Sequence, residues 1–259
     1  MKIFYWNDIL TFLNTGNIDD FFTKGCGISI GSFDGLHKGH RFLLSTLKDE
    51  CQKNNLQSGI VSFTRPLPSI KHSEDYTGDL STLNQRLKFF EEMGFDFVIL
   101  VDFDDSFASM LGCDFLNILV NVCSMELIAE GIDFRCGFKG ATDTQAINYW
   151  GKQNNIRTVF VDPVYYLEIT GNEERVSSSF IRQKIQNGFF TTVEELLERK
   201  YEIDLESFGG KTEIEKSGIL QVLPPEGVYH CLDQNNEDSR IEITQNKILL
   251  ENPCTLLKF

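Results

Sequence analysis

The stretch from Gly27 to Leu44 leaves a chain few folds to choose from. It reads Gly-Ile-Ser-Ile-Gly-Ser-Phe-Asp-Gly-Leu-His-Lys-Gly-His-Arg-Phe-Leu-Leu. An apolar run carrying Ile28 and Ile30 enters a loop punctuated by Gly31, Gly35 and Gly39. An amphipathic helical pattern then places Phe42, Leu43, Leu47 and Cys51 on one side. Strand, glycine loop and helix together form a phosphate cradle. Glycines let backbone N–H groups approach the anion, and the helix N-terminus adds partial positive charge. His37 and His40 stand three apart where that helix begins, so both can present imidazoles to one phosphate. The plain alternative is a tight turn with two surface histidines.

The rest of the chain repeats the alternation. Short apolar runs at Cys26–Ile30, Gly59–Phe63, Phe97–Val101, Met125–Ala129 and Ile156–Val161 read as strands, with Tyr165–Ile169 a further candidate. Helical spacing is expected over Gly39–Asn54, Asp79–Met93, Phe107–Met110, Asp114–Val122 and Thr144–Asn154. The near-continuous apolar character of Phe97–Val101 suits a strand covered on both faces. Residues 1–25 suggest a lead-in strand and a short helix. The expected fold is α/β, a Rossmann-like parallel sheet with helices on both faces. Ligands on such sheets sit beyond the carboxyl ends of the strands, at the switch in strand order. Three loops leave those ends: Gly31–Gly39, Thr64–Pro68 and Gly131–Gly137.

Further along, Ser177-Ser178-Ser179-Phe180-Ile181-Arg182 precedes a helix, where serines cap and an arginine one turn on completes an anion site. Thr192–Lys200 reads as another helix. From about Asp204 acidic side chains outnumber basic ones two to one. Short apolar pieces at Ile219–Val222, Val228–Leu232, Ile241–Ile243 and Ile248–Leu250 read there as a small C-terminal antiparallel β unit. A net charge of −14 argues against nucleic acid as a partner. No apolar run is long enough to cross a bilayer, and the first twenty residues do not read as a signal peptide. The seven cysteines have no Cys-x-x-Cys pair, so reduced thiols in a cytoplasmic protein are expected, with no protein-held metal.

The pattern Gly31-x-Phe33-Asp34-Gly35-x-His37-x-Gly39-His40 resembles the His-x-Gly-His signature of nucleotidylyltransferases, in the form found in bacterial FAD synthetases. That family combines riboflavin kinase and FMN adenylyltransferase. Gly131-Ile132-Asp133-Phe134-Arg135-Cys136-Gly137 is similar to its Gly-x-Asp-Phe-Arg-Phe-Gly loop. Val176–Arg182 is similar to its Ile-Ser-Ser-Thr-x-Ile-Arg segment, and Leu196–Tyr201 to Leu-Leu-Gly-Arg-Pro-Tyr. Phe63-Thr64-Arg65-Pro66-Leu67-Pro68 matches Phe-Glu-Pro-His-Pro only loosely.

The resemblance implies transfer of AMP from MgATP to FMN, giving FAD and pyrophosphate, with Mg²⁺ held largely by phosphates and water. It assigns His37, His40 and Arg182 to catalysis. Gly31, Ser32, Phe33, Asp34, Gly35, Ser178 and Ser179 fall to ATP, and Phe63, Pro66, Asp133 and Phe134 to the flavin or nucleotide. The implied domains are an adenylyltransferase over 1–185, a helical linker over 186–203 and a truncated kinase-like β unit over 204–259. The family's kinase segment Gly-Arg-x-Leu-Gly-Phe-Pro-Thr-Ala-Asn has no counterpart in Ile203–Glu213, so kinase activity is not expected. Pro224–Tyr229 looks like a remnant of the kinase barrel. Other readings stay open: a pantetheine-phosphate or nicotinate-nucleotide adenylyltransferase, or a non-catalytic flavin-nucleotide-binding regulator.

Overall fold

The computed structural model describes residues 1–16, 20–67, 69, 76–168 and 171–259. It divides into two compact units. The first comprises Met1–Phe33, Gly39–Ile70 and Lys88–Val164; the second comprises Asp34–Lys38, Lys71–Leu87 and Tyr165–Phe259.

The first unit is built on six parallel strands: β1 (Lys2–Tyr5), β2 (Cys26–Ile30), β3 (Gln57–Phe63), β4 (Phe97–Val101), β5 (Met125–Gly131) and β8 (Arg157–Val161). Their order is β1-β4-β3-β2-β5-β8. Crossovers run through α1 (Trp6–Thr15), α2 (Lys38–Lys53), α3 (Leu83–Glu92), α4 (Asp105–Ser109), α5 (Gly112–Cys123) and α6 (Thr144–Asn154). β2 and β4 are buried at every position, as both faces are covered. A phenylalanine cluster fills one side of the core, with Phe22 4.8 Å from Phe4 and 5.3 Å from Phe97 between ring centroids. Asp143 caps α6 by accepting the Ala146 N–H at 3.0 Å. A two-stranded ribbon of β6 (Arg135–Cys136) and β7 (Thr142–Asp143) follows the Gly131 turn.

The second unit holds a six-stranded antiparallel sheet. Its strands are β11 (Glu202–Asp204), β12 (Glu213–Glu215), β13 (Gly227–Leu232), β14 (Asp238–Ile243), β15 (Lys247–Leu250) and β16 (Leu256–Lys258), in the order β11-β16-β13-β14-β15-β12. Tyr201 is wholly buried, and its hydroxyl donates to the Val222 carbonyl at 2.7 Å. Phe259 stacks on Phe190 at 4.9 Å. A ribbon of β9 (Tyr165–Leu167) and β10 (Glu173–Arg175) precedes α7 (Ser178–Gln186) and α8 (Phe190–Leu197).

The α/β class and the antiparallel unit are as the sequence suggests, with three local differences. Tyr165–Leu167 pairs with β10 and adds no strand to the parallel sheet; Ile169 lies outside the described residues. Ile219–Val222 makes only an isolated parallel bridge, Gln221 opposite Asp79, in which the Leu220 carbonyl accepts from Asp79 and the Val222 N–H donates to it at 2.8 and 2.9 Å, and it joins no sheet. The helix expected from Asp79 starts only at Leu83. Thr82 and Gln85 form a reciprocal cap, the Thr82 N–H donating to Gln85 Oε1 at 3.0 Å and the Gln85 N–H to Thr82 Oγ1 at 3.3 Å.

Gly59 shows how tightly the parallel sheet is packed. It lies opposite Phe97 in the β3–β4 register, and a Cβ there would come within 2.0 Å of the Phe97 ring. Gly59→Ala is therefore expected to cost about 2 kcal/mol or more by overpacking. Phe97→Leu should relieve part of that cost, giving a favourable coupling in a double-mutant cycle read by urea denaturation. Additive losses would show that the ring is not what excludes the methyl group.

Candidate functional site

The turn that begins at Asp34 belongs to the second unit and is gripped from several sides. The Asp34 carboxylate is buried and accepts the N–H groups of Leu80, at 2.9 and 3.1 Å, and of Ser81 at 3.0 Å. It also pairs with Arg182 Nη2. The Ser81 hydroxyl accepts the Gly35 N–H at 2.9 Å, and Arg199 Nη2 donates to the Gly35 carbonyl at 2.7 Å. Ser178 Oγ donates to the Asp34 carbonyl at 2.9 Å. Gly35 has φ +81°, and a Cβ would meet the Leu80 side chain at 2.7 Å, so glycine is required. Phe33 and Leu36 flank it at φ 47° and 40°, unusual for bulky residues. Burial pushes the Asp34 carboxyl upward from its ordinary range, while Arg182 and the two N–H groups pull it down.

Arg182 is itself buried. Its Nε donates to the Gly78 carbonyl at 2.7 Å, and Nη2 reaches both Asp34 and the Tyr76 hydroxyl, at 3.2 Å to the latter. The guanidinium lies over the Tyr76 ring, 4.8 Å from its centroid. Burial, then the Asp34 charge, pushes the Tyr76 hydroxyl far above its usual range, so it stays a protonated donor, and it donates to Asp79 at 2.5 Å. Ser177 caps α7 by accepting the Phe180 N–H at 3.2 Å. Ser179 stays exposed, and His37, directly before α2, is buried.

In the first unit the other half of the motif is built around Phe33. Its ring meets His40 at 5.3 Å and Phe90 at 6.0 Å, both edge-on. Gly31 donates to the Val61 carbonyl at 3.0 Å, and a Cβ on it would press on the Phe33 ring at 3.0 Å. Ser32 Oγ accepts the Leu67 N–H at 3.0 Å, which ties the loop after β3 to the loop after β2. Pro66 is buried in that loop; Pro68 lies outside the described residues. Phe63 sits inside an aromatic cluster, 6.0 Å from Phe103 and 6.1 Å from Phe107. Phe134 packs against the core and donates its N–H to the Gly131 carbonyl at 3.0 Å, while Asp133 is exposed.

Each proposed residue thus has a place, but the residues are not alike. His37, His40, Gly31, Ser32 and Phe33 all lie in or beside the segment that leads from β2 into α2. Asp34, Ser178 and Arg182 form one internal network, and Phe63 is part of the core. Tyr76, Leu80, Ser81 and Arg199 were not singled out from the sequence. Arg199 lies within the quoted Leu196–Tyr201 segment, whereas nothing in the composition of 76–81 marks it as a partner of Asp34.

Residues 20–180, more than half of the chain, match the family model described as FAD synthetase. The chain belongs to the FAD synthetase family. It is 29% identical over 187 residues to a bifunctional riboflavin kinase/FMN adenylyltransferase of Escherichia coli (strain K12), covering 70% of this chain and 56% of that relative. A protein of the same description from Bacillus subtilis (strain 168) is 26% identical over 215 residues, 78% of this chain and 65% of the relative. The chain thus spans between half and two thirds of the length of these relatives. Among solved structures, one described as a macrolide-efflux protein from Streptococcus pneumoniae shares the fold. Its TM-score is 0.71 at 18% identity, over 93% of this chain and 94% of that one. No helix among the described residues is long and apolar enough to cross a membrane.

The Asp34–Arg182 pair yields a direct test. Removing one partner of a buried pair strands the other charge, so Arg182→Met should cost about 3–5 kcal/mol in urea denaturation. The double variant Asp34→Asn/Arg182→Met should recover part of that loss. A change below about 1 kcal/mol in the single variant would mean the pair does not hold the turn.

Proposed function

We propose that this FAD synthetase family member joins FMN and MgATP into FAD and pyrophosphate. The observation that carries the reading is the β2–Gly31–α2 segment, with His37 and His40 at the start of a sixteen-residue helix. In the proposed step a phosphate oxygen of FMN attacks the α-phosphorus of ATP. A new P–O bond forms, the bond to the bridging α–β oxygen breaks, and pyrophosphate departs with that electron pair. The nucleophile is already an anion, so no strong base is required. Positioning and stabilisation of developing charge supply the rate.

His37 and His40 are proposed as donors to the triphosphate, with the Gly31–Phe33 backbone as its cradle. Ser178, Ser179 and Arg182 are proposed for the β and γ phosphates. The internal bonds of Arg182 support a second duty for it, holding the Asp34–Gly35 turn directly ahead of His37. Phe63 and Pro66 would shape the ligand loop from within, and Asp133 and Phe134 would border the flavin or the adenine. Mg²⁺ enters as part of MgATP, held by phosphates and water. Among the described residues no group of three or more His, Cys, Asp and Glu is placed to hold a metal of its own.

The proposed domains are the adenylyltransferase over 1–185, the helical linker over 186–203 and a kinase-like β unit over 204–259. Riboflavin kinase activity is proposed to be absent. The stretch Ile203–Glu213, where a kinase would keep its phosphate loop, is taken up by the end of β11, a single turn at Glu206–Phe208 and the start of β12. A cytoplasmic location fits the seven free thiols.

With MgATP, FMN should be converted to FAD, while pure riboflavin should give no FMN, as read by chromatography of the products. FMN formed from riboflavin at a comparable rate would restore the bifunctional reading. No FAD from FMN would remove the adenylyltransferase. His40→Ala should lower turnover by about 10²-fold, the scale of losing one transition-state donor. Unchanged turnover at saturating substrates would take His40 out of the chemistry.

A further inference from the structure

The crevice between β2 and β5 holds a feature that the proposed reaction does not use. β2 is the strand from which the sheet grows both ways, to β3, β4 and β1 on one side and to β5 and β8 on the other. It is therefore the switch point, where sheets of this kind open to ligands. β2 pairs with β3 through Ile30 and Val61, and β5 pairs with β8 through Gly131 and Val161. The β2–β5 ladder stops earlier, at Ile28 and Ile128. Beyond that point the Ile30 N–H reaches no β5 carbonyl. It donates to Glu130 Oε1 at 2.5 Å, and the next amide, of Gly31, turns the other way to Val61.

Glu130 is 1% exposed and sits on β5, one residue before the Gly131 turn. The Glu130 charge is also felt by Cys136, in the β6 ribbon, whose thiol is pushed up to about 12 by burial and then by Glu130. One side chain of β5 therefore reaches the β2 backbone just beyond the point where their pairing stops. A carboxyl in this position is costly unless hydrogen bonded, and its burial raises its affinity for a proton. An apolar residue would pack there without that cost, but it would leave the Ile30 N–H without an acceptor or let the ladder close.

We propose that Glu130 is a positioning residue, a wedge that replaces the β5 backbone as acceptor for Ile30, keeps the ends of β2 and β5 apart, and thereby aims the Ser32 and Phe33 amides at the nucleotide phosphates. The proposal rests on the reading of this segment as an ATP-phosphate cradle. It predicts that the acceptor oxygen matters and that the charge does not.

The test compares Glu130→Gln, which keeps Oε1, with Glu130→Val, which removes it, and Glu130→Asp, which withdraws it by one methylene. KM for MgATP and its Kd by calorimetry should rise about 10-fold in the Val and Asp variants, the equivalent of about 1.4 kcal/mol, while kcat falls less. The Gln variant should stay within about twofold of the parent in KM, Kd and kcat. In the parent protein the Ile30 amide should be protected from hydrogen exchange and shifted downfield, and both features should persist with Gln. Equal impairment of Gln and Val, an unimpaired Val variant, or a fast-exchanging Ile30 amide would each overturn the wedge. If Val fails to fold, the Asp and Gln variants and the amide signal still decide. A parent protein that binds MgATP yet forms no FAD would sink the proposed activity alone, because Kd continues to report on Glu130. A parent protein that binds no MgATP would overturn both.

Discussion

A single buried carboxylate, that of Asp34, organises the second unit. Burying it without partners would be prohibitive. Two backbone N–H groups and a guanidinium meet it, from two separate pieces of chain: Leu80 and Ser81 from the segment before α3, Arg182 from α7. Residues far apart in sequence become neighbours because one charge needs all of them. The turn that contains Asp34 also leads directly into His37. The position of a proposed catalytic histidine is therefore tied to a network whose centre, the Asp34 carboxylate, is buried.

The parallel sheet was readable because its strands are apolar runs with few competing interpretations. Cys26–Ile30, Phe97–Val101 and the helix Thr144–Asn154 stand where the pattern puts them. What was missed follows from contacts that periodicity does not encode. The apolar spacing of Leu83, Leu87 and Phe90 marked a helix but not its start. The start is set by Thr82-Leu83-Asn84-Gln85, a capping box that apolar spacing does not register. Ile219–Val222 looked like a strand because it is apolar and short, yet its backbone is spent on Asp79. The association of 34–38 with the C-terminal part of the chain runs through Asp34 and Arg182, that of Thr82 and Gln85 through Asp204, Glu202 and Gln221, and none of these polar residues carries a mark of its partners.

At the candidate site the motif residues of the β2–α2 segment were legible because glycine, histidine and the strand–helix transition each have a chemical reason to be there. Arginine is harder to read. Its sequence position beside serines suggests an anion, while the structure binds its Nε and Nη2 to a carbonyl, a carboxylate and a phenol. Phe63 raises the same difficulty from the apolar side. A phenylalanine at a strand end suits a ligand pocket and a core equally well, and only its neighbours Phe103 and Phe107 distinguish them. Glu130 left no sign at all, since a glutamate near a strand end normally faces water.

The placing of β1 has a consequence for how the chain is born. Among the described residues Lys2–Tyr5 pairs with Phe97–Leu100 alone, at the edge of the sheet. At ordinary elongation rates of roughly 5–20 residues per second, β1 waits on the order of ten seconds after its own synthesis for its mate. During that interval Phe4 and Trp6, both destined for the core, have no sheet to cover them. Closing so distant a pair also carries the entropy of a long loop. Registration of the N-terminal strand is therefore a late event in assembly, and the nascent chain must stay soluble until β4 arrives to receive it.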